Sequence, residues 1–428
     1  MRKLEDLGAV RKAQSPEVLS VMQLYAAREP LFPNLKTLDM WPNGEYIPFI
    51  PLFLSPRTST INIWDFRSDL PKAMVASIIT TLPILCPNLQ EINFASLPND
   101  PMVVAAVSRM LLAGNRNDFR CFRVDSPLTE EARQVISNLP NLRDLSVVIE
   151  KGTSLPSVVL PNLSNLIVKY DDDNDVLPML RGATFGKLAT VTFFSGSEQI
   201  GDFLEAFEKV ALAASVQNTL SEFYLYKSQP WNPNYSSLLQ FTQMNTLEVQ
   251  FSCRAGCSST VDDDVITNLA RAMPKLQSLE LGDPPCHNTP TGVTAKGLVT
   301  LAHHCPNLCT LRVHLQVDGL CVAPAISGVT PGTGSTVPRR NCALMSLDVG
   351  EIPLSEESVL TVALILAHIF PHIEGIVCSH PNWDKVVDAI YNAREIIDRS
   401  SEEHPLSAPQ INLSNTSPGD TLYPGPTL

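Results

Sequence analysis

Apolar residues return in one short phrase, apolar-x-x-apolar-x-apolar, along nearly the whole chain. The clearest copies are Leu35/Leu38/Met40, Leu89/Ile92/Phe94, Leu142/Leu145/Val147, Leu163/Leu166/Val168, Leu276/Leu279/Leu281 and Leu308/Leu311/Val313. Weaker copies stand at Thr58/Ile61/Ile63, Phe119/Phe122/Val124, Leu188/Val191/Phe193, Leu220/Phe223/Leu225, Met244/Leu247/Val249, Leu344/Leu347/Val349 and Ile373/Ile376/Cys378. The first residues of successive copies are 23, 31, 30, 23, 21, 25, 32, 24, 32, 32, 36 and 29 positions apart. Alternation at the end of each phrase is the pattern of a strand with one buried face, and its return at this period predicts units that stack on their neighbours. Three buried strand residues, each worth about 1.5–3 kcal/mol, fall short of the entropy of ordering a whole unit, so no unit stands alone.

The longer steps leave room for a helix after each strand. Ser15-Pro16-Glu17 opens one with a capping hydroxyl, a first-turn proline and an acid, and Thr129-Glu130-Glu131 and Ser355-Glu356-Glu357 repeat the cap-then-acid signal. Further helices are predicted at Lys72 to Leu85, Met102 to Ala113, Gly201 to Ala214, Asp264 to Met273 and Thr294 to His304, with Trp383 to Ile397 closing the stack. Steps of 21 to 25 residues are expected to return through turns or 3₁₀ segments. The domain plan is an N-terminal helical cap at 1–30, a repeat array at 31–398 with a Pro/Gly/Ser/Thr-rich surface insertion at 319–340, and a disordered tail at 399–428.

Composition narrows the classes. The chain has 428 residues, 44% of them hydrophobic and 18% charged, and a formal charge of -13. That charge excludes nucleic acid and anionic membranes as expected partners and favours a protein with a basic patch. The apolar stretch Val359 to Phe370 is too short to span a bilayer, and the charged first 30 residues do not read as a secretory signal, so a cytoplasmic or nuclear location is expected. Ten scattered cysteines make no disulfide framework.

The step lengths match leucine-rich repeats, and the expected fold is an α/β solenoid with a curved, mostly parallel sheet on its concave side and helices on its convex side. Phe32-Pro33-Asn34-Leu35-Lys36-Thr37-Leu38, Pro48-Phe49-Ile50-Pro51-Leu52-Phe53-Leu54-Ser55 and Cys86-Pro87-Asn88-Leu89 resemble the region after the F-box in fungal, basidiomycete-type F-box/leucine-rich-repeat proteins. The resemblance implies the substrate-recognition part of an SCF-type ubiquitin ligase, an F-box contacting the Skp adaptor of a cullin while the repeats hold the substrate. Residues 1–30 carry no Leu-Pro-x-Glu opening, so no adaptor-binding residue transfers, and the Skp adaptor and cullin enter as partners once a missing box is restored. A free-standing scaffold or inhibitor is the alternative, and a zinc-dependent protein is a third reading.

Outward strand positions are the candidate binding surface. They include Asp39, Glu91, Asp125, Asp144, Glu222, Glu248, Glu280 and Asp348 against Arg123, Lys169 and Arg312, which predicts an acidic face. Trp41, Trp64, Phe194, Tyr224 and Tyr226 share those positions as aromatic hot-spot candidates, with Trp231 in the next turn. The candidate partner site is therefore Trp41, Trp64, Asp144, Phe194, Glu222, Tyr224, Tyr226, Glu248, Glu280 and Arg312. Asp171, Asp173 and Asp175 imitate the start of a calcium loop, but Val176 stands where glycine belongs and Gly182 where a bidentate glutamate belongs, so a solvated acidic turn is expected. Asp262, Asp263 and Asp264 read as helix-cap residues. Cys253, Cys257, Cys286 and His287, and separately His303, His304, Cys305 and Cys309, are the zinc candidates; neither set has paired Cys-x-x-Cys knuckles, and Cys305 matches Cys86 as a small buried residue ending a helix. Nucleophile-elbow, phosphate-loop, zinc-protease and dinucleotide motifs are absent from the sequence, so neither an enzyme nor a cofactor is expected.

Overall fold

The computed structural model describes residues 3–5, 20–21, 30–41, 44–64, 66, 70–114, 116–153, 159–181, 183–196, 203–213, 216–228, 233–251, 261–282, 292–321, 343–350 and 352–403. Its strands in chain order are β1 Lys3–Glu5, β2 Thr37–Met40, β3 Thr60–Ile63, β4 Glu91–Phe94, β5 Cys121–Pro127, β6 Asp144–Ile149, β7 Val159–Leu160, β8 Asn165–Tyr170, β9 Thr184–Phe185, β10 Thr190–Ser195, β11 Glu222–Lys227, β12 Thr246–Phe251, β13 Ser278–Leu281, β14 Thr310–Arg312, β15 Ser346–Gly350 and β16 Gly375–Cys378. Fourteen of them form one sheet in chain order, interrupted only because β7 and β9 pair with each other in a small second sheet. The pairings run parallel throughout, as in Leu38 beside Ile61 and Val191 beside Phe223.

The phrases of the sequence are these strands. Every residue of the thirteen triplets is buried except Ile376 and Cys378, which are half-buried in the last strand. Between the strands lie α1 Lys72–Leu85, α2 Pro101–Ala113, α3 Glu130–Ile136, α4 Asp173–Arg181, α5 Phe203–Ala213, α6 Asp263–Ala272, α7 Ala295–His304, α8 Val317–Cys321, α9 Val359–Ile369 and α10 Asn382–Glu403, besides a one-turn helix at Ile50–Phe53. Neighbouring helices pack side by side, α1 on α2, α6 on α7 and α9 on α10, and their apolar faces join the inward strand residues in one continuous core.

A single backbone feature recurs at every step. The carbonyl just before each strand accepts two N–H groups from the next unit: Lys36 from Ser59 and Thr60, Ser59 from Gln90 and Glu91, Gln90 from Arg120 and Cys121, and so on to Met345 from Glu374 and Gly375, at 2.7–3.2 Å. Pro-Asn pairs reinforce it, because Asn88, Asn141 and Asn162 each donate a side-chain N–H to a carbonyl of the preceding unit, Pro56, Asn117 and Pro140. Among the described residues no further strand follows the one after Glu374, the last member of the carbonyl series; α10 takes that place, with Tyr391 Oη donating to Glu374 O at 2.7 Å and an Arg394 nitrogen donating to Ile373 O at 2.6 Å. Trp383, buried at the start of α10, donates its indole N–H to Ile352 O at 2.9 Å.

Several expectations need correction. The 25-residue step after Leu163 holds α4, nine residues long, because the helix begins within three residues of Tyr170 and uses no connecting loop. The 23-residue step after Leu35 returns through a 3₁₀ segment at Gly44–Phe49 and the one-turn helix, whereas the 23-residue step after Phe119 holds the seven-residue α3. Helix α10 runs to Glu403, so residues 399–403 are helical rather than tail. Thr129 and Ser355 occupy cap positions without a side-chain cap hydrogen bond. Ser20 and Val21 are helical, whereas the rest of the predicted opening helix, residues 322–340 of the insertion, and residues 404–428 lie outside the described residues.

The aspartates before α6 join two units. Asp262 caps its own helix through Asp264 N and Val265 N, while Asp263 reaches into the next unit and accepts from Thr294 N, Thr294 Oγ1 and Gly297 N at 2.6–3.1 Å. A Cβ at Gly297 would lie 2.5 Å from Asp263 Oδ1, so this approach requires glycine. Asp263→Ala is expected to lower stability by about 1–2 kcal/mol, the value of a lost helix cap, seen as a reduced urea midpoint at unchanged slope.

Candidate functional site: the exposed face of the sheet

Parallel register turns the outward strand positions into straight rows. One row reads Tyr224, Glu248, Glu280, Arg312, Asp348 across β11 to β15, and another reads Val148, Lys169, Phe194, Tyr226, Gln250 across β6 to β12. Neighbours in a row stand about 4.8 Å apart at the backbone, so each side chain interacts with those of the adjacent units.

The three basic residues are all engaged by the acids around them. Arg123 pairs with Asp144 at 2.8 Å, Lys169 with Asp125 at 2.8 Å, and Arg312 bridges Glu280 at 3.7 Å and Asp348 at 3.1 Å. Asp39 accepts from the Trp64 indole at 2.7 Å, and Glu91 accepts from Thr60 at 3.2 Å. The acidic face expected from the outward strand positions is therefore partly neutralised, and Asp144 belongs to an ion pair rather than to a free acidic surface. Excess negative charge remains at Glu222, which among the described residues accepts from the hydroxyls of Thr190 and Tyr224, and at Glu248, which accepts from Gln250.

Glu248 and Glu280 sit directly opposite in adjacent strands. Burial first and the charge of Glu280 second raise the Glu248 carboxyl above its ordinary range, while Tyr226 and Arg312 pull the other way. Tyr226 is raised in turn by burial and by its hydrogen bond to Glu248, and Tyr224 by burial and the charge of Glu222.

The aromatic candidates divide into two places. Trp41, 67% exposed, stacks on Trp64 with centroids 5.7 Å apart. Phe194, 38% exposed, stacks on Tyr226 at 4.9 Å with rings 11° from parallel, and the Lys169 ammonium lies 5.5 Å from the Phe194 centroid. Five strand steps separate Trp64 from Phe194, about 24 Å along the sheet, so the two pairs form separate patches. Trp231 lies outside the described residues.

Beside the second patch, the C-terminal ends of β6, β8, β10, β11 and β12 border an open cavity of about 580 Å³. Beneath its edge, the last inward positions of three neighbouring strands carry Tyr170, Ser195 and Lys227 in one register row. Lys227 Nζ lies 3.0 Å from Asp173 Oδ2 at the start of α4, with the two side chains only 2% and 4% exposed, and Ser195 Oγ donates to Asp173 Oδ1 at 3.4 Å. Burial, then the charge of Asp173, raises the Tyr170 phenol. Asp173 is thus an internal counter-ion and not part of a solvated turn; Asp175 accepts from Gly152 N, and Asp172 accepts from Asn174 N at the helix start. Strand parity held the missed signal: Phe223 and Leu225 point inward, so the next inward position, Lys227, had to bury a charge and find a carboxylate.

The metal candidates do not converge. Cys253, Cys257, Cys286 and His287 lie outside the described residues, and among those described no group of three His, Cys, Asp or Glu side chains gathers. Cys305 is buried at the C-cap of α7, its thiol directed at Ala270 O and Met273 O, and Cys86 ends α1 in the same way. Met273 and Phe370 hold that position after α6 and α9, so the site selects apolar rather than small residues. Burial pushes the Cys86 thiol up to about 11, which leaves it protonated and inert. No helix among the described residues is long and apolar enough to cross a membrane.

No family model matches this sequence, and no curated protein is significantly similar to it.

Two outcomes follow from the electrostatics. Because the folded Glu248 holds its proton more tightly than the ordinary carboxyl value of 4.5, its destabilising charge is fully present above the raised value and is relieved as pH falls through it. Glu248→Gln should therefore raise the urea midpoint at neutral pH and lose that advantage near pH 4.5, measured as a series of denaturation curves. Lys227→Met strands the buried Asp173 carboxylate and should cost about 3–5 kcal/mol, whereas Lys227→Met with Asp173→Leu should recover most of the loss in the same assay.

Proposed function

We propose that this chain is a leucine-rich-repeat solenoid that binds a basic protein partner on the exposed face of its sheet, as the substrate-recognition part of an SCF-type ubiquitin ligase. The observation that carries the reading is the cluster on β11, β12 and β13, where Glu222, Glu248 and Glu280 share the face with Tyr224 and Tyr226 while Arg312, the base beside Glu280 in the same row, is divided between Glu280 and Asp348. Like charges lined up in one row destabilise the free protein, and a cationic partner relieves that repulsion on binding. The stacked aromatic rings beside them supply rigid contact area at low entropic cost. A rigid sheet with one exposed face per unit offers a long surface to a macromolecule, and the repeat phrases that resemble F-box/leucine-rich-repeat proteins support the ligase assignment.

Affinity capture from cell extract with identification by mass spectrometry tests the assignment directly. A Skp adaptor and cullin recovered with a basic cargo is the expected result; cargo without adaptor in full-length protein favours the free-standing scaffold. Association of the captured cargo with a chain carrying Glu222→Gln, Glu248→Gln and Glu280→Gln should slow by about tenfold at low salt and lose its salt dependence. An unchanged rate in that variant rejects the acidic surface.

A further inference from the structure

The strand starts carry a charge opposite to that of the chain. Each triplet opens on a buried residue at the turn into its strand, and the residues on either side of it line one rim of the sheet. Lys36, Arg57, Arg120, Arg143, Lys187 and Lys275 hold such positions, and all are exposed. Asp118 and Glu374 are the acids there, Glu374 in the last unit. Parallel register sets these positions side by side, so Arg120 and Arg143 stand on adjacent strand starts, about 4.8 Å apart at the backbone.

None of these bases forms an ion pair among the described residues. Arg57, Lys187 and Lys275 donate to the side-chain oxygens of Asn34, Asn162 and Gln243 in the preceding unit at 2.5–3.2 Å, neutral acceptors that hold the side chains and leave their charge uncompensated. The sheet-face acids next along the strands, Glu91 and Asp144, are engaged by Thr60 and Arg123. Further carboxylates gather at the opposite ends of the strands, in the first turns of α3 and α6 and in the 3₁₀ turn before α9. Helices end on the basic rim, but the last turns of α1 and α2 hold no base, so the charge belongs to the strand-start turns and does not serve to offset those helix ends.

Six strand steps separate Lys36 from Lys187, about 29 Å, and an extended peptide of about nine residues covers that distance. At physiological salt, charges are screened beyond about 8 Å, so the rim acts on what touches it whatever the sign of the distant acids. The rim positions hold no Phe, Tyr or Trp, so nothing there stacks a nucleobase, and the formal charge of -13 repels a long polyanion. We infer that this rim binds an acidic, extended segment of a protein, its carboxylates distributed along Lys36, Arg57, Arg120, Arg143 and Lys187. The surface is separate from the sheet face proposed for a basic partner and does not rest on that reading.

The test uses the full chain with blocked decapeptides carrying an uncharged dye, followed by fluorescence anisotropy at low salt. A glutamyl-glycine repeat is expected to bind saturably, and the glutaminyl-glycine repeat at least about tenfold more weakly. Arg120→Gln with Arg143→Gln should weaken the glutamyl peptide about fivefold to tenfold, since two exposed ion contacts are lost. Both substitutions leave the backbone ladder in place, because these residues enter it through main-chain atoms. Lys296→Gln with Lys385→Gln removes the same charge from exposed positions at helix starts and should change the affinity less than about twofold. That contrast separates a local surface from net charge. Equal binding of the two peptides, no saturable binding, equal weakening in the two double variants, or tighter binding of hexathymidylate, which matches the peptide in charge, would each overturn the inference.

Discussion

The shared carbonyl before each strand is the constraint on which the molecule is built. One acceptor oxygen with two lone pairs takes two N–H groups from the following unit, and the same geometry returns from Lys36 to Met345. That repetition fixes the parallel register at its origin, so every strand starts level with its neighbour whatever the length of the intervening segment. Steps as different as 21 and 36 residues are tolerated because the variable part lies between strands, outside the ladder. The series must also end. At Glu374 and Ile373 the acceptors are met by Tyr391 and Arg394, so α10 closes the ladder with side chains where a further unit would use backbone.

Level strands convert a linear pattern into rows, and the rows explain which parts of the fold and site were legible beforehand. Inward residues such as Leu166, Val168, Val191 and Phe193 are readable because burial depends on parity within a single strand. The helix expected at Lys72 to Leu85 is placed at those residues as α1. Pairings between units are harder to read, since they depend on which strand positions become neighbours. Arg123 meets Asp144 across 21 residues and Lys227 meets Asp173 across 54, and neither separation is a local motif. Helix α4 was hidden for a different reason: its first turn, Asp173-Asn174-Asp175, looks like a solvated loop until Lys227 is known to lie beneath it.

Net charge describes this surface poorly. Eight acids against three bases at the outward positions imply a broad negative field, yet Arg123, Lys169 and Arg312 remove it locally by pairing with Asp144, Asp125, Glu280 and Asp348. What persists lies at carboxylates with no ion pair of their own among the described residues, Glu222 and Glu248 on the central strands and Glu150 and Asp171 on the strand ends. Exposed ion pairs of the first kind contribute little to stability and keep the sheet soluble without attracting a partner. The unpaired carboxylates beside stacked rings behave differently, because their repulsion is a cost carried by the free protein.

The buried Lys227–Asp173 pair connects these two levels. Replacing it with apolar side chains need not destabilise the core, so its presence is not explained by stability alone. Its position offers a physical role. Asp173 anchors the first turn of α4 directly beneath the ends of β10 and β11, and Ser195 ties the same carboxylate to the strand that carries Phe194. An ion pair and a hydroxyl shared among three consecutive units hold those strand ends in one relative position, whereas apolar packing tolerates sliding. The stacked rings of Phe194 and Tyr226 rise from the residues immediately preceding Ser195 and Lys227, so the internal charge orients the external surface: the polar interior of this stretch fixes the spacing of the aromatic wall that faces the cavity.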